Sequence, residues 1–260
     1  MKRIYILIFL GLSLNFPLMG CGQQSSQQMF HSQNKTAEYL YEEGSKYYLG
    51  KDIPKNYEKA FQFFEQAAQQ GLAIAQNDLA SMYFDGQGIK QNYEQAFFWF
   101  NKAADQNVPE AQYNLGLMYD NGQFIEKNRE KALELYKKSA EQNYFRAQYN
   151  LANAYFNGDG IAQDKKKALE LYTKAAEQGV SRAQYNLANA YFNGDGVAQD
   201  KKKALELYTK AAEQGFPDAQ YNLAYLYRYD LHDKAKAIYW YTKAKENGIE
   251  LANEALSEMN

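Results

Sequence analysis

Cysteine, histidine, net charge and long apolar runs are all scarce in this chain, and each scarcity removes a class of function. One cysteine among 260 residues, Cys21, rules out a disulfide framework and a cysteine-rich metal site. The two histidines, His31 and His232, supply no imidazole pair for a metal or a catalytic triad. Lys and Arg (29) nearly balance Asp and Glu (31), and the charges are interspersed, so no basic field exists of the kind nucleic acid requires. DNA and RNA are excluded as main partners. The longest apolar run, Ile4 to Leu14, is too short for a comfortable membrane span.

That run follows Lys2 and Arg3, which makes residues 1–20 an export signal. Leu18, Met19, Gly20 and Cys21 close it, with Met19 in place of the usual small or branched residue. The stretch resembles the lipobox of bacterial lipoproteins. The resemblance implies cleavage before Cys21, lipidation of Cys21, and a membrane anchor in the bacterial cell envelope. Gly22, rather than a retention-type Asp, implies the outer membrane and leaves open the periplasmic or surface face. Residues 21–38 read as a tether, rich in Gln and Ser and poor in large apolar side chains. Fully extended, fifteen of those residues reach roughly 50 Å at about 3.3–3.6 Å each.

What the chain does have is tyrosine, 24 of them, and a 36-residue period. Six units span residues 39–250, starting at Tyr39, Ala75, Ala111, Ala147, Ala183 and Ala219. The fourth and fifth differ only at Ile161/Val197, Val180/Phe216, Ser181/Pro217 and Arg182/Asp218. One such unit cannot bury its own apolar face, so the copies must stack. Within each, Leu (Leu151, Leu187), a small residue (Ala152, Ala188) and Tyr (Tyr155, Tyr191) form a helical stripe. Glycines such as Gly158 end that helix, and Asn56, Asn92, Asn128, Asp164, Asp200 and Asp233 cap the next one. The second helix carries Ala and then an aromatic four residues on, as in Ala168 and Tyr172. It stops at Gly71, Asn107, Asn143, Gly179, Gly215 or Gly248. Residues 251–260 read as a capping helix.

Ala147-Gln-Tyr-Asn-Leu-Ala152, Tyr155, Gly158-Asp-Gly160, Lys167-Ala-Leu169, Tyr172 and Ala175-Ala-Glu-Gln-Gly179 closely resemble the Sel1-like repeat, a relative of the tetratricopeptide repeat. Glu43 replaces the first-helix Leu in the first copy, and Phe124 replaces the second loop glycine in the third. The resemblance implies an all-α, right-handed α-solenoid superhelix of helix-loop-helix units whose first helices line a concave groove.

On a helical wheel the third, seventh and tenth positions of each unit fall roughly 120° from the Leu-Ala-Tyr stripe. They should face the groove: Tyr41, Ser45, Tyr48; Asn77, Ser81, Phe84; Tyr113, Leu117, Asp120; Tyr149, Asn153, Phe156; Tyr185, Asn189, Phe192; Tyr221, Tyr225, Arg228. Rings interleaved with amides suit an extended protein or peptide partner. The competing reading is that the rings pack against neighbouring first helices. The Lys165–Lys167 and Lys201–Lys203 runs read as a solvated face.

No cofactor, metal or catalytic set emerges, and an enzyme is not expected. A β-lactam-processing alternative would rest on Ser32-x-x-Lys35, which sits in the tether without an oxyanion hole, and the repeat cysteines of β-lactam-binding relatives are missing. Glycan recognition by the groove aromatics is a further alternative.

Overall fold

A computed structural model describes residues 36–259; the expected export signal, Cys21 and the Ser32 to Lys35 string lie outside the described residues. The described chain runs through thirteen helices. Six pairs follow one another: α1 (Ala37–Leu49) with α2 (Tyr57–Gln69), α3 (Ala73–Asp85) with α4 (Tyr93–Asp105), and α5 (Pro109–Asn121) with α6 (Arg129–Glu141). They continue with α7 (Phe145–Asn157) and α8 (Lys165–Glu177), α9 (Ser181–Asn193) and α10 (Lys201–Glu213), and α11 (Pro217–Tyr229) and α12 (Lys234–Glu246). A short α13 (Leu251–Ser257) closes the array. Ala37 and Glu38, assigned to the tether from composition, already belong to α1 because Thr36 caps it, accepting from the Tyr39 amide.

The boundaries have local causes. In every second helix the Asn or Asp cap accepts from the amide three residues on, for example Asn56 from Lys59 and Asp200 from Lys203. The cap's own backbone N–H donates to the tyrosine of the first helix, Asp164 to Tyr155 at 2.9 Å and Asp200 to Tyr191 at 2.8 Å. The loop is thereby fastened at one point per unit. First helices α1, α3, α5, α7 and α9 end in glycines with φ between 68° and 78°. Asn107 and Asn143, at φ 66° and 64°, hold the same left-handed conformation that glycine holds in the other units.

Alanine and aromatic layers form the core. Ala60, Ala96, Ala132, Ala168, Ala204 and Ala237 have no exposed surface, and each second-helix ring, from Phe64 to Tyr241, is buried. Each buried ring contributes roughly 1.5–3 kcal/mol. The buried clusters run across unit boundaries, as a solenoid requires.

Two polar devices join the units. The second residue of units two to six is a buried glutamine: Gln76, Gln112, Gln148, Gln184, Gln220. Its amide donates to the end of the preceding unit's second helix, Gln184 to Ala176 O at 3.1 Å and Gln220 to Ala212 O at 3.1 Å. Its Oε1 accepts from the end of its own second helix, Gln178 to Gln148 at 2.8 Å and Gln214 to Gln184 at 2.7 Å.

The second device is ionic. Arg129 pairs with Asp159 at 2.8 Å and Lys165 with Asp195 at 2.8 Å; Lys201 pairs with Asp230. Lys165 and Lys201 therefore clamp adjacent units, and only the rest of each run matches the solvated-face expectation. Lys167 folds back on Asp164 at 3.2 Å.

Candidate interaction groove

Every first helix but that of the second unit, where Asn77 stands, shows its third-position tyrosine to the buried ring of its own unit. Tyr149 lies 6.1 Å from Tyr172, Tyr185 lies 6.0 Å from Tyr208, and Tyr221 lies 5.3 Å from Tyr241. Tyr113 sits between Tyr136 (5.7 Å) and Tyr144 (5.3 Å) and is only 9% exposed. Tyr113 is thus a core residue and offers a partner almost no surface. The other three pack on the second-helix ring of their own unit rather than on a neighbouring first helix, and all remain half-buried.

Between successive first helices lie niches at corresponding positions, closely alike in the fourth and fifth units. Asn153, Phe156, Asn157, Tyr172, Asn186 and Asn189 line a space of about 260 Å³. One unit further on, Asn189, Phe192, Asn193, Tyr208, Tyr221, Asn222 and Tyr225 line about 340 Å³. A third niche of about 260 Å³ lies between units two and three, with Ser81, Phe84, Asn114 and Leu117 in its wall. The seventh and tenth positions of the expected set are therefore brought together. They are joined by the fourth and eleventh positions, which the wheel had left out.

The polar groups in these niches are held in place. Tyr172 donates its hydroxyl proton to Asn153 Oδ1 at 2.5 Å, and Asn186 Nδ2 donates to both Tyr172 Oη (3.2 Å) and Asn153 Oδ1 (3.3 Å). Tyr208, Asn189 and Asn222 repeat this triad in the next niche. Burial pushes the Tyr172 hydroxyl up to about 12, so it remains a neutral donor. With one end of each amide committed, Asn153 keeps donor capacity and Asn186 keeps acceptor capacity for a ligand.

Arg228 is placed elsewhere. It donates to Glu258 at 3.0 Å and to Ala255 O at 3.4 Å, tying α13 to α11. With His232, Lys234, Glu258 and Met259 it borders a separate space of about 520 Å³ at the end of the array. Tyr225 is 42% exposed and lies 4.6 Å from Tyr229, forming an open aromatic pair beside the last niche. Among the described residues no group of three or more His, Cys, Asp or Glu could hold a metal, and no helix is long and apolar enough to cross a membrane.

Helix pairs of fixed length, joined by repeating amide and ionic bonds and presenting repeated niches on one face, define an α-solenoid suited to protein–protein interaction. The chain belongs to the Sel1 repeat family, whose model matches residues 31–72, 73–108, 109–144, 145–180, 181–216 and 217–249. It is similar to a Sel1 repeat protein from Oxalobacter formigenes, 29% identical over 85% of this chain and 92% of that one, with a TM-score of 0.76. A protective antigen of uropathogenic Escherichia coli, c5321, is 32% identical over 86% of this chain with a TM-score of 0.50. The match covers 56% of that antigen's length. Immunity protein Pa5087 from Pseudomonas aeruginosa, 22% identical over 81% of each chain at a TM-score of 0.51, shares the fold. A comparison with curated protein sequences gives no match.

Proposed function

We propose that this chain is a membrane-tethered scaffold of the bacterial envelope that holds an extended segment of a protein partner along its first-helix face. The observation that carries this reading is the recurrence of one niche along that face, with a ring and a pair of fixed, half-satisfied amides in the fourth and fifth units. A linear chain with repeating amide groups can satisfy a donor and an acceptor at each step, and rings add contact area at low entropic cost. The tether and the lipidated Cys21 enter from the lipobox resemblance and would hold the array at a membrane, delivered to the outer membrane by the Gly22 signal.

The test is a detergent-solubilised pull-down comparing wild type with a Phe156→Ala, Phe192→Ala, Tyr225→Ala triple variant. These rings line the niches, and Phe156 and Phe192, like the third-position tyrosines, also touch the core. Reduced retention of the partner by the variant supports the groove; equal retention by both refutes it.

A further inference from the structure

The junction between the first and second units departs from the amide niche in a consistent direction. Where the fourth unit has Asn153, Phe156 and Tyr172 facing Asn186, the first has Ser45, Tyr48 and Phe64 facing Asp78. Phe64 has no hydroxyl, so the amide relay cannot form there. Instead Tyr41 donates its hydroxyl proton to Asp78 Oδ2 at 2.8 Å, and Asn77 donates Nδ2 to Asp78 Oδ1 at 3.0 Å. Asn77 stands where other units carry the third-position tyrosine. It is 7% exposed, and its Oδ1 has no partner.

Asp78 is half-buried, and a carboxylate partly withdrawn from water is costly to keep ionised without a cation. Among the described residues no Lys, Arg or His forms an ion pair with Asp78, and the charged group that influences it most, Glu110, is also acidic. Rings surround the site: Tyr41 stacks on Phe64 at 5.3 Å, and Tyr48 lies 6.1 Å from Phe64. Partly exposed tyrosine rings beside one carboxylate that has no cationic partner make the chemistry that receives an organic cation. One carboxylate and an amide are too few ligands for a divalent metal ion.

We infer that the groove ends in a cation subsite at this junction, formed by Tyr41, Tyr48 and Asp78 over the buried Phe64 ring, which takes the ammonium or guanidinium group of a basic side chain on the bound segment. The inference rests on the groove reading and adds a polarity to it. A basic residue sits at the first two units, and uncharged, amide-rich chain runs over the fourth and fifth.

The test is an NMR titration of the purified array with Nα-acetyl-lysinamide and, in parallel, Nα-acetyl-norleucinamide, which matches its length without the charge. The lysine probe should give saturable shifts at the Tyr41, Tyr48 and Asp78 amides, and the norleucine probe none. Asp78→Asn should weaken lysine-probe binding about tenfold. That variant carries the residue already present at the same position in Asn114, Asn150, Asn186 and Asn222, so the fold accepts it. Equal shifts from both probes, or unchanged binding by Asp78→Asn, overturn the subsite. If the pull-down still depends on Phe156, Phe192 and Tyr225 in that event, the groove reading stands alone. If the lysine probe binds while that dependence is absent, the groove reading fails and the subsite survives.

Discussion

Gln148 accepts a hydrogen bond from Gln178, thirty residues away, at 2.8 Å, although Gln148 itself has no exposed surface. The same bond joins Gln184 to Gln214 and Gln112 to Gln142. A buried amide inside an alanine layer is tolerable because both its ends are used. The donor end reaches the preceding unit, so each glutamine transmits register from one repeat to the next.

Gln184→Leu should therefore destabilise the array by about 1–3 kcal/mol, although it keeps the volume and adds apolar surface. Urea unfolding measures it. Combined with Gln214→Leu, the loss should be less than additive because the two residues share a bond. Full additivity would mean that the shared bond has no energetic weight.

Phe124 occupies the loop position that glycine holds at Gly88, Gly160 and Gly196, with φ 68°. Glycine is favoured there for a second reason: an added Cβ at Gly88 would lie 2.3 Å from the Tyr57 carbonyl oxygen, and one at Gly160 2.5 Å from Arg129 Cγ. Phe124 bears the strain of about 1–2 kcal/mol and recovers some through Phe97, 5.8 Å away, while remaining 53% exposed. Phe124→Gly should raise Tm by about 1–3 °C. A fall in Tm would show that the Phe97 contact outweighs the strain.

Burial raises the Asp78 carboxyl above the ordinary carboxylate range, against the opposing pull of the Tyr41 and Asn77 hydrogen bonds. A carboxyl with a higher pKa folded than unfolded binds more protons in the folded state. The array thus loses stability as pH rises from the unfolded value, about 3.9, through the raised one. Asp78→Asn removes this term. Its Tm should exceed that of wild type near neutral pH, with the gap closing toward pH 4; a gap of the same size at both pH values contradicts the burial argument.

Cys21→Ser should move the full chain from the membrane fraction to the soluble fraction and abolish incorporation of labelled fatty acid. Membrane retention by the serine variant would refute lipid anchoring through this residue.

The pairing of helices was legible because its determinants are local and recur: caps at Asn56 through Asp233, stops at Gly71 through Gly248, and an Ala-to-ring spacing in every second helix. The glutamine bonds were not read, because apolar periodicity gives no weight to a polar residue in the core. Their signal was present in the recurrence of Gln76, Gln112, Gln148, Gln184 and Gln220 and of amides thirty residues later. The groove was legible in part. A wheel of one helix places the exposed face by reference to its own core stripe alone. Yet Tyr185 and Tyr221 pack on Tyr208 and Tyr241 of another helix, and the adjacent Asn186 and Asn222 line the niches. Arg228 was misplaced for a similar reason: its partner, Glu258, belongs to the capping helix. Lys165 and Lys201 look like members of a solvated run until the next unit's loop brings Asp195 and Asp230 beside them.

The central claim, that a partner lies along the first-helix face, is tested most directly by site-specific photo-crosslinking in intact cells. A benzophenone amino acid would replace Asn157 or Asn193, which line the niches, or Lys166 or Lys202, which are exposed on the second helices. The account predicts one discrete adduct from positions 157 and 193, absent from 166 and 202. Adducts of equal yield from both faces, or from the second helices alone, would contradict it.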